Sequence, residues 1–208
     1  MSYIEHLSKD KKLAKILANG PSNGPFKLKK EKQVYLQLCG SIMSQQLSTK
    51  VAAVIWKRFL ELYEDGKPTP EQIVNTPYDT LRGIGLSNAK VRYVQNVAQF
   101  AIDHGMEWTQ LQKMSNEEVI AHLTQIKGVG RWTTEMLLMF ALGREDVFAI
   151  DDLGIQTAMI KLYKLDNSDK KSFRDKMLRI SAKWAPFRTF ACLHLWEFKD
   201  GKKESETS

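Results

Sequence analysis

Residues 126–152 read IKGVGRWTTEMLLMFALGREDVFAIDD, and the order of turn, helix and carboxylates in them decides how the rest of the chain is read. Lys127-Gly128-Val129-Gly130 is a Gly-x-Gly turn, in which glycine lets the backbone direct N–H groups outward. The apolar pattern that follows over 133–142 predicts a helix buried nearly all round, whose positive N-terminal end points at the same turn. Turn amides and a helix N-terminus together hold a phosphate. About two dozen residues downstream, Asp151-Asp152 closes a short apolar run (Val147, Phe148, Ala149, Ile150) and opens a further helical pattern over 153–162. That pair fits a carboxylate working beside a bound nucleic acid, and it equally fits an N-cap.

The chain has 208 residues, 43% of them hydrophobic, which suffices for one compact domain and is compatible with two closely joined helical lobes. Lys+Arg 31 against Asp+Glu 24 gives a net charge of +7, with a pI near 9.3. Such a surplus favours a polyanionic partner, although many basic proteins have none. The two cysteines, Cys39 and Cys192, lie far apart without metal-ligand spacing and read as small buried hydrophobes. No apolar run approaches the roughly 18 residues of a membrane span, and MSYIEHLSKDKKLAKIL lacks the apolar core of a signal peptide. These features imply no membrane association and a reducing compartment: a cytoplasmic, nucleoid-associated protein, or a nuclear one in a eukaryote.

Helical spacing dominates and strand-like alternation is scarce, so the fold class is all-α. Leu47, Val51, Ile55, Phe59 and Leu62 form one apolar stripe, and Val91, Val94, Ala98 and Ala101 another. Ser115-x-x-Glu118 is a capping box ahead of Val119 and Leu123. Thr69-Pro70 starts a short helix with Pro just inside it. Ser168 can cap the pattern Phe173, Met177, Ile180, Trp184, and 186–198 reads as a last buried helix. Residues 20–32 read as a loop, and the polar tail 201–208 as frayed. The expected organisation is a single domain over 1–208, with a central helical lobe at about 34–142 and a second lobe from 1–33 plus 143–200.

Leu123-x-x-Ile126-Lys127-Gly128-Val129-Gly130-x-Trp132-Thr133 resembles the hairpin of the helix-hairpin-helix DNA glycosylase superfamily. Within it the chain is most similar to the alkylated-base enzymes of the 3-methyladenine DNA glycosylase II type. Ile42-Met43-Ser44-Gln45-Gln46-Leu47-Ser48, Gly85-Leu86-Ser87-x-x-Lys90 and Trp184-x-Pro186-x-Arg188-x-x-Ala191-x-x-His194-Leu195-Trp196 extend the likeness from about Gln33 to Trp196. Family members with an extra N-terminal β-rich domain exist; with so few residues ahead of the helical core, none is expected here. Members with an iron–sulfur cluster use four closely spaced cysteines, and two distant ones exclude it.

The resemblance implies a two-lobed helical fold and a monofunctional enzyme that flips a damaged base out of double-stranded DNA and hydrolyses its N-glycosidic bond. Asp152 falls on the catalytic aspartate, where a carboxylate stabilises the oxocarbenium-like transition state and can orient water. Asp151 then becomes the cap or a supporting partner. The hairpin, Lys127, Gly128, Val129, Gly130, Arg131 and Thr133, is implied to bind DNA, with phosphate on the Gly128 and Gly130 amides. The same hairpin is implied to hold a monovalent cation, Na+ or K+, on the backbone carbonyls of Thr124, Ile126 and Val129; no other cofactor is expected. Trp132 stands where strand-cutting members carry a nucleophilic lysine, and an indole cannot form a Schiff base. With Trp196 it is implied to line the pocket and attract a cationic alkylated purine, although either can equally be a core tryptophan. Met136 replaces a tyrosine common in this pocket, giving a softer wall.

Gln45, Gln46, Leu47 and Ser48 match the segment that wedges the base stack when a nucleotide is extruded, with Gln46 or its neighbour Leu47 as the wedge; residue types alone fit an ordinary loop as well. Ser87 is expected as a helix cap with Lys90 near the backbone, Arg188 in a structural ion pair, and His194 as a satisfied core histidine. The expected substrates are 3-methyladenine and 7-methylguanine, and the expected state is a monomer. The same fold acting on another damaged base, or a non-catalytic lesion-binding module, are the alternatives.

Overall fold

The computed structural model of the chain describes residues 2–18, 20 and 25–201. Thirteen α-helices and one 3-10 turn are found among the described residues, and no strand. In chain order they are α1 (Tyr3–Leu7), α2 (Leu13–Leu17), α3 (Val34–Ser44), α4 (Thr49–Glu61), α5 (Pro70–Asn75) and α6 (Tyr78–Gly83). Then follow α7 (Asn88–His104), α8 (Trp108–Leu111), α9 (Asn116–Leu123), α10 (Arg131–Phe140), α11 (Leu153–Tyr163), α12 (Lys170–Ser181) and α13 (Arg188–Asp200). The backbone divides into two compact units, residues 30–142 and residues 1–29 with 143–208.

The 30–142 unit is organised on α7, against which α3, α5 and α6 pack, while α10 packs on α3 and α9. Its core includes Leu38, Ile42, Phe59, Val94, Leu123 and Leu138, all fully buried. Local signals place the helix starts: the Thr69 and Ser115 capping boxes both close, with Gln72 and Glu118 reaching back, and Ser87 caps α7. The stripe expected on α4 is core only at Ile55 and Phe59. Leu47 and Leu62 fall outside the helix, and Val51 is 46% exposed, because helical spacing fixes which residues share a face and not how much of that face is covered.

In the other unit α11 and α13 pack as a pair, with α2 against α13. Ser168 is not the cap of α12; Asp169 is, accepting from Lys171 N at 3.0 Å, while the Ser168 hydroxyl donates to Asp166. The run Asp166-Asn167-Ser168-Asp169 offers several acceptors, and the nearest one to the helix takes the role. The last helix begins two residues later than expected, after a cis Ala185–Pro186 bond. Both cysteines are buried, and burial pushes the Cys39 thiol up to about 12, as an inert hydrophobe requires. The expectation for 201–208 falls, beyond Gly201, outside the described residues, as do residues 21–24 of the expected loop.

Candidate functional site

The hairpin is built inside the 30–142 unit between α9 and α10. Ile126 N donates to Leu123 O, and Val129 N to Ile126 O at 3.0 Å, which closes the turn. Ile126 and Val129 are buried and anchor it from below, while Lys127 and Gly130 are exposed. Gly128 sits at φ +105°, and a Cβ there would come within 2.3 Å of Cγ of the Tyr93 ring. Asn96 Nδ2 donates to Lys127 O at 3.3 Å. Two side chains of α7 therefore brace the turn, and neither was singled out from the sequence, because they lie some thirty residues away with no motif around them. Gly130 is extended and precedes the first turn of α10.

The side chains of the hairpin divide by surroundings. Trp132 is 43% exposed, and Met136 lies one turn on, so the two share a face of α10. Thr133 is only 4% exposed, and its hydroxyl accepts from Gln45 Nε2 at 3.3 Å, so as a side chain it is internal bracing and not a surface for DNA. Arg131 donates to both Glu117 oxygens (3.0 and 2.6 Å) and to Glu135 (3.0 Å), and the Glu117 hydrogen bonds raise its pKa. Its guanidinium is held by these carboxylates while its side chain stays 44% exposed. Of the three carbonyls expected to face a cation, Ile126 O already accepts from Val129 N, and a carbonyl retains a second lone pair.

Residues 45–48 leave α3 abruptly. Gln45 is extended (φ −51°, ψ 131°), and Gln46 takes φ +58°, the left-handed region that a non-glycine residue occupies at a cost of about 1–2 kcal/mol. Gln46 and Leu47 are exposed. Ser48 is the N-cap of α4, accepting from Val51 N at 3.4 Å. Lys90, expected near the backbone, donates to the main-chain carbonyls Met43 O at 3.0 Å and Gln45 O at 2.6 Å.

In the unit formed by 1–29 and 143–208, Asp152 is itself the N-cap of α11, its Oδ1 accepting from Ile155 N at 2.8 Å. The same Oδ1 accepts from Trp196 Nε1 at 2.8 Å. Cap and candidate catalyst, read as alternatives in the sequence, are one residue. Asp151, expected as the cap or a supporting partner, is not the cap, and it pairs with Arg174. Gly154 packs closely against this pair: a Cβ there would lie 3.0 Å from Asp152 Oδ1, 3.0 Å from Trp196 Cδ1 and 3.2 Å from Nε1, so the neighbours would have to give by a few tenths of an ångström. Trp196, expected as a pocket wall, is thus also a donor to the carboxylate.

The 184–196 motif is structural elsewhere. Arg188 grips Asp146 with Nε at 2.6 Å and Nη2 at 2.8 Å, the ion pair expected of it. His194 is buried between Phe26 and Tyr3, and burial lowers its pKa. Contrary to the expectation of a satisfied histidine, its Nε2 has no hydrogen-bond partner among the described residues.

Residues 39–183 match the family described as the HhH-GPD superfamily base excision DNA repair protein. The chain is 38% identical over 190 residues to DNA-3-methyladenine glycosylase 1 of Schizosaccharomyces pombe, covering 90% of this chain and 80% of that protein. The structure of the Schizosaccharomyces pombe 3-methyladenine DNA glycosylase Mag1 in complex with abasic DNA superposes with a TM-score of 0.81 at 35% identity, over 95% of this chain and 96% of that one. A DNA-3-methyladenine glycosidase from Bacillus halodurans superposes at 0.82 and 31% identity, over 97% and 89%.

Proposed function

We propose that this chain, which belongs to the HhH-GPD superfamily of base excision DNA repair proteins, is a monofunctional glycosylase of the 3-methyladenine DNA glycosylase II type. It removes alkylated purines, 3-methyladenine and 7-methylguanine first among them, from double-stranded DNA and leaves an abasic site. It acts as a monomer, wherever the cell keeps its DNA. The observation that carries this reading is the carboxylate of Asp152, held by the Ile155 amide and the Trp196 indole N–H at the start of α11.

The chemistry follows from the residues. As the glycosidic bond lengthens, positive charge grows on the sugar, and a fixed carboxylate stabilises it without having to reorganise. A purine alkylated on the ring is already cationic and leaves as a neutral base, so little help from a general acid is needed. Water then completes the hydrolysis at the anomeric carbon. Trp132 cannot act as an amine nucleophile, so no covalent sugar–enzyme bond forms and the strand stays intact. Trp132, with Met136 on the same helical face, offers an aromatic surface to a cationic base, worth about 0.5–2 kcal/mol. The Gly128–Gly130 turn and the N-terminus of α10 take a backbone phosphate. Gln46 or Leu47 fills the gap left by the flipped nucleotide.

The resemblance also implies a monovalent cation at the hairpin. Thr124, Ile126 and Val129 would hold it through main-chain carbonyls, hard oxygen ligands suited to Na+ or K+ and compatible with the turn hydrogen bond to Ile126 O. Bound there, it would add positive charge to a phosphate site.

The deciding experiment incubates duplex DNA carrying randomly methylated purines with wild type and Asp152→Asn. Free 3-methyladenine from the wild type alone, with strand breaks only after alkali, is expected. An Asp152→Asn protein that kept most of its activity would falsify the role given to Asp152, and breaks without alkali would show a lyase.

A further inference from the structure

We infer that Lys90 is a positioning residue for base extrusion: by holding the Met43 and Gln45 carbonyls it fixes where α3 stops and so keeps Gln46 outside the helix, at the surface. The inference rests on the proposed reading of residues 45–48 as the wedge.

The last turn of a helix leaves carbonyls without intrahelical partners, and α3 ends at Ser44. Met43 lies in that turn and Gln45 is the residue that caps it, and both carbonyls receive the Lys90 ammonium. A cation at this end also opposes the negative pole of the helix. The stem of Lys90 is fixed in turn, because Lys90 sits in the first turn of α7, where its own N–H donates to the Ser87 hydroxyl at 3.3 Å. On the far side of the loop, Gln45 Nε2 donates to Thr133 Oγ1. Gln45 is thus held by its carbonyl from α7 and by its side chain from α10. A left-handed non-glycine residue persists only where its neighbours over-determine it, and Gln46 at φ +58° directly follows this doubly held residue. Lys90 is half-buried, and burial lowers its pKa, as expected of an ammonium drawn off the surface toward carbonyls.

A lysine serving a phosphate and a lysine serving the wedge behave differently. Loss of a phosphate contact weakens binding to any DNA and reduces the slope of log K against log salt by about 0.9. Loss of the wedge support matters only where a base must be pulled from a stack. The test compares Lys90→Met with wild type on a duplex containing one 7-methylguanine and on the same lesion in a single-nucleotide bulge, whose base has no pairing to break. Expected are a fall of about tenfold in duplex excision, less than about twofold on the bulge, and an unchanged salt slope; in a double-mutant cycle Gln46→Ala adds little once Lys90 is gone. Lys90→Gln, which keeps an amide donor, is read in the same way should Lys90→Met fold poorly. A duplex-to-bulge ratio unchanged in both variants, or a salt slope lower by about one, overturns the assignment. Gln46→Ala and Leu47→Ala on the wild-type background test the reading beneath it. If neither lowers the ratio, the wedge itself is wrongly placed; if either does while both Lys90 variants do not, only the role of Lys90 fails.

Discussion

The indole Nε1–H of Trp196 donates to Oδ1 of Asp152 at 2.8 Å, across 44 residues of chain, and the same oxygen caps α11 through Ile155 N. A carboxylate oxygen held by two donors from different elements has its direction set before any substrate arrives. In the proposed reading this preorganisation is what lets the N-cap carboxylate also stabilise the transition state.

Trp196→Phe keeps a ring and removes the donor. A hydrogen bond to a charged group contributes about 1.5–3 kcal/mol, so kcat is expected to fall roughly ten- to a hundredfold while KM changes little. Binding of abasic-site analogues distinguishes positioning from wall-building. A cationic pyrrolidine analogue should lose affinity and a neutral tetrahydrofuran analogue should not; equal losses on both would mean that Trp196 serves only as a wall.

Gly154→Ala places a methyl group 3.0 Å from both Asp152 Oδ1 and Trp196 Cδ1. Alanine is the better helix former by about 1 kcal/mol, which offsets part of the crowding. The expected variant therefore melts close to wild type yet excises bases at least about tenfold more slowly, because relief of the contact moves the carboxylate or the indole. Single-turnover excision beside a thermal melt checks this, and normal excision would show that the pair tolerates displacement.

Gly128→Ala is expected to be more damaging to the fold. Its φ of +105° disfavours any side chain, and the new Cβ would sit 2.3 Å from a ring carbon of Tyr93. A loss of about 2 kcal/mol or more is expected, together with weaker DNA binding measured by fluorescence anisotropy at one fixed salt concentration. Tyr93→Ala removes the brace without straining the turn, so its binding defect should exceed what its melting temperature suggests.

Stability in acid carries a separate signature. Burial pushes the Asp10 carboxyl up, but hydrogen bonds from Tyr163, Trp184 and the backbone N–H groups of Leu13 and Lys12 outweigh it and hold the pKa below the usual 3.8. A carboxylate depressed in the folded state contributes stability above its unfolded pKa, and that contribution is lost as pH falls through the folded value. Asp10→Asn should lower the melting temperature at pH 7 by roughly 2–4 °C, for a half-exposed group worth about 1 kcal/mol. The two melting curves should converge below about pH 3.8, and a difference that persisted undiminished there would remove the charge from the explanation.

Interactions that span three or four residues were legible in the sequence. The Thr69-Pro70 start, the Ser115–Glu118 box and the Ser87 cap form between near neighbours, so residue type and spacing fix them. The Lys127–Gly130 turn was legible for the same reason, and the all-α class follows from helical spacing of apolar residues. Where several acceptors compete within one local run, the sequence misleads: Ser168 yields to Asp169, and Asp152, not Asp151, takes the cap.

Contacts between distant segments were decided only by the tertiary structure. Lys90 on Met43 and Gln45, Tyr93 under Gly128, Thr133 with Gln45, and Trp196 on Asp152 each join residues dozens of positions apart. Nothing in the composition of either partner announces the other, because packing sets which faces meet. The sequence by itself determined that a Gly-x-Gly turn precedes an apolar helix and that a carboxylate pair follows at a family spacing. Only the fold decided that Asp152 is held by Trp196, that Arg131 is held by Glu117 and Glu135, and that Lys90 serves the backbone of its own chain. A hydrogen bond needs atoms within about 3 Å, and between remote residues that distance is a property of the packed chain alone.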